Sequence, residues 1–315
     1  MPHWIYVDKV PWSRIVTKHI TEQFNIIYGY KCNYACVGCS NGSDQISGRT
    51  HDPDLAITLA AIEKLPDILH IPPGGMITLL GGEIFMYWQD TIIPLIKSLR
   101  RAFPTTTINL FSNGHLINKY TESVIDIMNQ YNCCLTISQH LKGDMLSPLG
   151  RAWKKNADEF LSNSSIVKVH DAHYHVSGNI TANIYIHSSE NWYTWYQQLP
   201  SGEIKPWQTN DPAGSMNHGC ASGSNCSAMF ENRLYKCGSL AMIKGLLASK
   251  NQLDDPDWEK YLMYPHIDIL APEQTLLDNF NQSYGKPISQ CDMCNNHSKA
   301  VIKWVDRTQQ MILPT

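Results

Sequence analysis

Cys32, Cys36 and Cys39 form a C-x3-C-x2-C triplet within the stretch Lys31 to Asn41, KCNYACVGCSN. Three thiolates on one short loop can each hold one iron of a four-iron, four-sulfur cube. The fourth iron is then left without a protein ligand. Fe–S clusters ordinarily take a thiolate on every iron, so a three-thiolate loop implies an open iron that can bind a substrate or cofactor. Two other chemistries compete for the triplet. A structural zinc wants four ligands and usually draws them from paired C-x2-C units. A disulfide remnant belongs to an exported protein.

Composition bears on that choice. The chain has 315 residues, 43 % hydrophobic and 17 % charged, with a formal net charge of −3. That is ordinary globular composition, with enough apolar mass for one large core or two domains. No basic stripe points to polymeric nucleic acid. The opening MPHWIYVDKVPWSR lacks the apolar core of a signal peptide, and no stretch approaches the ~20 apolar residues of a membrane span. A cytoplasmic protein is therefore expected. Reducing conditions make its ten cysteines better candidates for metal or cluster ligation than for disulfides.

The elements that must position the triplet follow from local pattern. QFNIIY, Gln23 to Tyr28, reads as a buried strand delivering the Cys loop. Asp52-Pro53 is expected to open a helix to about Leu69, with Asp52 as N-cap, Pro53 in the first position, and Leu55, Leu59 and Ile62 on one face. MITLL, Met76 to Leu80, is a second strand and ends in Gly81-Gly82-Glu83. A helix is expected over Asp90 to Ala102. A third strand, Thr106 to Phe111, ends in Ser112-Asn113-Gly114. A helix over Thr121 to Tyr131 leads to a fourth strand, Cys133 to Ser138, whose two cysteines read as small core residues. Pro148 to Leu161 is a further helix, and Ile166 to Val169 and Ala182 to Ile186 are expected as strands five and six. Between those strands lie His170, Asp171, His173 and His175. A hydrogen-bonded polar hairpin is the preferred reading over a metal cluster. His140 and Asp171, just beyond strand ends, are weak candidates for substrate contacts. Alternating strands and helices, with a chemical feature after each early strand, argue for parallel βα units.

The triplet, the Gly-Gly-Glu turn, the Ser-Asn-Gly turn and Ser138, in that order, resemble the radical S-adenosylmethionine (SAM) superfamily. The resemblance implies a partial (β/α)6 TIM-like barrel with its reactive groups at the C-terminal strand ends. It implies a [4Fe-4S] cluster on Cys32, Cys36 and Cys39 whose open iron is chelated by SAM. One electron then splits SAM into methionine and a 5′-deoxyadenosyl radical. Gly81, Gly82 and Glu83 would hold the SAM amino group, the glycines by letting the backbone approach it. Ser112, Asn113 and Ser138 would be further SAM contacts. The superfamily usually has an aromatic residue just before the third cysteine, near the adenine. Gly38 stands there in this chain, and Tyr34 is expected to supply the ring.

A second constellation follows a change in composition. Beyond Glu190, aromatic residues (Trp192, Tyr193, Trp195, Tyr196, Trp207) alternate with polar ones, and Pro200, Gly202 and Pro206 mark a boundary. Cys220 and Cys237 flank a hairpin pattern, Met229 to Tyr235, and Cys291 and Cys294 form a distal C-x2-C pair. Four thiolates can hold a closed cluster or a structural zinc. The layout resembles the twitch extension, the shorter relative of SPASM. It implies one auxiliary [4Fe-4S] cluster on Cys220, Cys237, Cys291 and Cys294, with Asn232 in the left-handed hairpin position that relatives give to Gly. Cys226 is an extra thiol that competes with Cys220. The expected organisation is a radical SAM partial barrel over 1–204 and a small auxiliary-cluster domain over 205–315. The implied activity is hydrogen abstraction from a small-molecule substrate, such as a nucleotide or sugar derivative, ending in oxidation or rearrangement. A flavodoxin- or ferredoxin-like protein would be the one-electron donor. A peptide maturase, an isomerase and a non-catalytic zinc- or cluster-stabilised binding protein are the alternatives.

Overall fold

Short aliphatic runs bounded by turns build the sheet on which the site rests. The computed structural model describes residues 18–34, 36, 39, 41–42, 52–139, 147–187, 191–193, 195–220, 226–295 and 301–303. The strands of its main sheet are β1 (Gln23–Ile27), β2 (Met76–Leu80), β3 (Thr107–Ser112), β4 (Cys133–Ser138), β5 (Ile166–His170), β6 (His173–Val176), β7 (Asn179–His187), β8 (Cys226–Phe230), β9 (Arg233–Tyr235) and β10 (Ile267–Asp268). All ten join one sheet in the order β10-β9-β8-β1-β2-β3-β4-β7-β6-β5. Strands β8, β1, β2, β3, β4 and β7 run parallel to their neighbours within that order. The outer strands on both sides are antiparallel.

Period-two alternation divides this sheet into two chemically different faces. Ile26, Leu79, Leu110, Leu135 and Ile184 are in register across five strands and fully buried. They share one core with residues of α1 (Leu55–Ile68), α2 (Ile93–Ala102), α3 (Thr121–Tyr131) and α4 (Pro148–Leu161). Each such side chain contributes roughly 1.5–3 kcal/mol by burial. The register one residue back is polar: Asn25, Thr78, Asn109 and Cys134 stand side by side. Over the β8–β1 end, that opposite face is covered by a second apolar cluster. Ile27, Tyr30 and Ala228 pack there with Trp195, Tyr196, Trp258 and α5 (Gly238–Ser249). Over β3, β4 and β7 cavities remain.

Several expectations change. The helix cap is Asp54, whose side chain accepts from Ile57 N at 3.0 Å, not Asp52. Asp52 is drawn away to accept from Tyr30 N and Tyr87 Oη, both at 2.8 Å. The segment Ile166–His170 is an antiparallel edge strand, not a unit of the parallel series. The parallel place beside β4 goes to β7. Cys134 lines a cavity on the polar face rather than the core, although Cys133 is fully buried. In the β8–β9 turn the left-handed residue is Glu231, φ 55°, and not Asn232. Asn232 instead donates to Asp268 at 2.8 Å.

Hairpin β8–β9, which follows residue 205, hydrogen-bonds directly onto β1 through β8. Among the described residues no helix is long and apolar enough to cross a membrane.

Candidate functional site

The stem of the Cys loop and the Gly-Gly-Glu turn are built against each other. Gly82 N donates to Gly29 O at 2.9 Å and Glu83 N to Lys31 O at 2.8 Å. A Cβ on Gly82 would lie 1.8 Å from Lys31 O, and one on Gly81 2.5 Å from Gly29 O. These glycines are therefore required by the close approach of two backbones, a nearer reason than approach to a ligand. Tyr87 fastens the same stem. Its hydroxyl donates to Asp52 and accepts from Lys31 N. Asn41 Nδ2 closes the far side of the loop on Gly81 O at 2.6 Å.

Glu83 sits at the centre. It is 1 % exposed, and its carboxylate is nearly saturated. Oε1 accepts from Ser112 Oγ at 2.7 Å and from Phe85 N at 3.2 Å, and Oε2 accepts from Asn113 N at 2.7 Å. Burial pushes its pKa up from 4.5 to about 7, against the pull of those three donors. Burial likewise pushes the Cys32 thiol well up, and the Glu83 charge adds to that. The Glu83 charge thus adds to the cost of ionising Cys32, and a cationic guest would favour the ionised form of both.

One cavity of about 280 Å³ gathers these groups. Cys32, Cys36 and Cys39 line it from the loop, Gly81, Gly82 and Glu83 from the end of β2, Ser112 and Asn113 from the end of β3, and Ser138 from the end of β4. Tyr34 also lines it; its hydroxyl and His115 Nδ1 are 3.2 Å apart. Gly38 and His140 lie outside the described residues. His187, opposite Ser138 in register, lines the cavity as well. Sequence reading passes over it because the apolar strand pattern closes one residue earlier.

The second constellation also converges. Cys220, Cys237, Cys291 and Cys294 line one cavity with Met216, Leu240 and Ile288. Its C-x2-C turn is firmly held: Asp292, 5 % exposed, accepts from Lys260 Nζ at 2.6 Å and Tyr261 Oη at 2.9 Å. Ser215 Oγ donates to Cys294 O at 2.9 Å. Burial and the three neighbouring thiols push Cys294 well above the usual thiol range. Such a set ionises together only around a cation, which is the donor chemistry of an iron–sulfur cluster. The Cys226 side chain lies outside the described residues, as do those of Trp192 and Tyr193. Trp195 and Tyr196 are buried in the second apolar cluster.

The histidine hairpin forms as a polar network. His173 and His170 ring nitrogens are 3.1 Å apart, His173 Nε2 is 2.9 Å from Asn183 Oδ1, and Lys168 pairs with Asp171 at 3.0 Å. Among the described residues no three His, Cys, Asp or Glu side chains are grouped so as to hold a single metal ion.

Residues 24–155 match the family model described as a 4Fe-4S single cluster domain. Comparison with curated proteins gives no match. Among solved structures, the chain is similar to "BtrN in complex with AdoMet and 2-DOIA" at 12 % identity, covering 90 % of this chain and 96 % of that one, with a TM-score of 0.44. It is similar to native anSMEcpe with bound AdoMet at 10 % identity, covering 74 % and 82 %, with a TM-score of 0.40. A hexahistidine-tagged anSMEcpe with bound AdoMet matches at 12 % identity and a TM-score of 0.32; there the alignment covers 44 % of this chain and spans 41 % of that one. The cluster-domain match, together with a triplet and a Gly-Gly-Glu turn sharing one cavity, supports the resemblance to the radical SAM superfamily.

Proposed function

We propose that the chain is a radical SAM enzyme acting on a small molecule. The observation that carries this reading is the single cavity into which the Cys loop and the ends of β2, β3 and β4 deliver their chemical groups. Three thiols there suit a cube with one open iron. When bound, that cluster supplies an electron, taken from an external flavodoxin- or ferredoxin-like donor, that splits SAM into methionine and a 5′-deoxyadenosyl radical.

The chain's own residues bind, orient and shield. Gly81, Gly82 and Glu83 offer acceptors to the SAM ammonium, and Ser112, Asn113, Ser138 and Tyr34 complete its seat. Leu80 and Phe111 supply apolar wall against water. The chemistry that the cluster and SAM would supply there is hydrogen abstraction from the substrate, ending in its oxidation or rearrangement. Residues 205–315 are read as a twitch-like unit holding an auxiliary [4Fe-4S] cluster on Cys220, Cys237, Cys291 and Cys294.

The test uses anaerobically reconstituted full-length chain. Iron and sulfide are counted, SAM and dithionite are added, and 5′-deoxyadenosine is measured. About eight irons per chain with 5′-deoxyadenosine formed is the expected result. Bound zinc without SAM cleavage would overturn the reading.

A further inference from the structure

We propose that the polar trough running on from the triplet cavity along β3, β4 and β7 seats the substrate, and that this substrate is an uncharged, hydroxyl-rich ring, such as an unphosphorylated sugar or cyclic polyol. The inference rests on the radical SAM reading and narrows its substrate class.

The starting point is continuity. Phe111 and His187 line the cavity that holds the triplet, and they also line a second cavity of about 490 Å³. Thr136 and Tyr185 line that second cavity and also a third of about 450 Å³. Three cavities that share walls in this way form one trough. Its floor is the polar face of the sheet: Asn109 and Phe111 of β3, Cys134 and Thr136 of β4, and Asn183 and Tyr185 of β7 each fall two residues apart and so share that face. Volumes of this size suit a small molecule. A ligand lying there has one end at Phe111 and His187, the wall it shares with the thiols and Glu83.

The floor offers hydrogen bonds without fixed charge. Asn109, 7 % exposed, accepts at Oδ1 from Thr136 Oγ1 at 3.1 Å. Among the described residues its Nδ2 has no partner, and neither has the Tyr185 hydroxyl. The Tyr185 ring is held in place by stacking on His173, with centroids 4.7 Å and planes 12° apart. His173 Nε2 is in turn 2.9 Å from Asn183 Oδ1. Thr136 Oγ1 donates to Asn109 and keeps lone pairs with which to accept. The trough thus presents a donor, an acceptor and a phenol that does both. A hydroxyl group also donates and accepts, so a polyol can meet all three.

Charge separates this ligand from a phosphorylated one. Among the described residues, those lining the second and third cavities include no lysine or arginine. Their one carboxylate, Asp171, is paired with Lys168 at 3.0 Å. A phosphate is ordinarily met by arginine forks, lysines or helix N-termini. Placed over amides and hydroxyls alone, its charge would lie unpaired.

The experiment uses the anaerobically reconstituted full-length chain with SAM bound, as wild type, Tyr185→Phe and Thr136→Val. Binding is read by saturation-transfer NMR with four probes: myo-inositol, methyl glucoside, inositol monophosphate and uridine monophosphate. The two neutral probes should bind the wild type more tightly than the two phosphates. Each variant should bind the neutral probes about 2- to 12-fold more weakly, the equivalent of one hydrogen bond. Tyr185→Phe deletes a hydroxyl that the fold itself does not use, so its result stands even if Thr136→Val, which strips Asn109 of a donor, folds poorly. Equal or tighter binding of either phosphate would overturn the substrate class. Unchanged neutral-probe affinity in Tyr185→Phe would overturn the seat, and no neutral-probe binding to the wild type would overturn both. Formation of 5′-deoxyadenosine by the wild type with dithionite is measured separately. Its absence would sink the radical SAM reading itself, whereas SAM cleavage without neutral-probe binding sinks this inference alone.

Discussion

Ser112 Oγ donates to Glu83 Oε1 at 2.7 Å, tying the end of one parallel strand to the turn after its neighbour. Through Asn113 N the same carboxylate also holds the next residue of the Ser-Asn-Gly turn. Glu83 thus organises the cavity wall before any ligand arrives. Glu83→Gln keeps the shape but offers one oxygen to three donors. At least one buried donor is left facing an NH2 group, at a cost of about 1–3 kcal/mol. Urea unfolding should show that loss, and SAM binding should weaken alongside it.

The same carboxylate makes stability depend on pH. Its folded pKa is about 7 against an ordinary 4.5, so between those values the folded state holds a proton that the unfolded state has released. Its contribution is full below pH 4.5 and is lost as pH rises through about 7. The full effect is on the order of 3 kcal/mol. The ligand-free wild type should lose stability from pH 5 to pH 8, and Glu83→Gln should flatten that slope. A wild-type profile no steeper than the variant's would show that Glu83 is already ionised well below pH 7.

Gly82→Ala would place a Cβ 1.8 Å from the carbonyl oxygen of Lys31. That atom is backbone, so it cannot swing aside, and the Glu83 N–Lys31 O bond must break instead. Overpacking of this kind costs about 1–3 kcal/mol or more. The variant should lose iron at the triplet while keeping it at the four-thiol site. Normal loading of both would mean that the stem and turn can separate without consequence.

Tyr87→Phe probes the other fastening. It deletes the hydroxyl shared by Asp52 and Lys31 N, worth about 0.5–1.5 kcal/mol. The Tyr87 ring also fills the space a Cβ on Gly29 would need, 2.5 Å from Cζ, and Phe preserves that filling. The expected outcome is faster amide hydrogen exchange at Tyr30 and Lys31 and slower iron uptake by the triplet, with little change in global stability. Unchanged exchange at both amides would remove Tyr87 from the loop's support.

The strands carrying the site were legible because each is a short apolar run closed by a turn; Cys133–Ser138, Thr121–Tyr131 and Pro148–Leu161 appear with the bounds their patterns suggest. What failed to show was non-local. Asp52 and Asp54 flank Pro53 and both look like caps; a tyrosine from beyond the second strand decides between them. Val167 and Val169 read as buried strand but are 41 % and 49 % exposed, because Ile166–His170 pairs at the sheet's edge. The insertion of Cys226–Phe230 beside Gln23–Ile27 joins residues some two hundred positions apart, and no local period encodes it. The thiols were visible from spacing alone.

Cys291→Ala combined with Cys294→Ala isolates the second constellation. The turn bearing both residues is anchored by Asp292 on Lys260 and Tyr261 and by Ser215 on Cys294 O. None of those anchors uses a thiol, so the backbone there should survive the change. The two cavities share no lining residue. Cys32 and Cys39 pack on the first apolar core, whereas Cys237 and Cys294 pack on the second. Iron should fall by about four per chain, while the EPR signal of the SAM-bound cluster stays as in the wild type. Unchanged iron would reject an auxiliary cluster. A loss of zinc in place of iron would assign the four thiols a structural metal, leaving the triplet as the chain's redox centre.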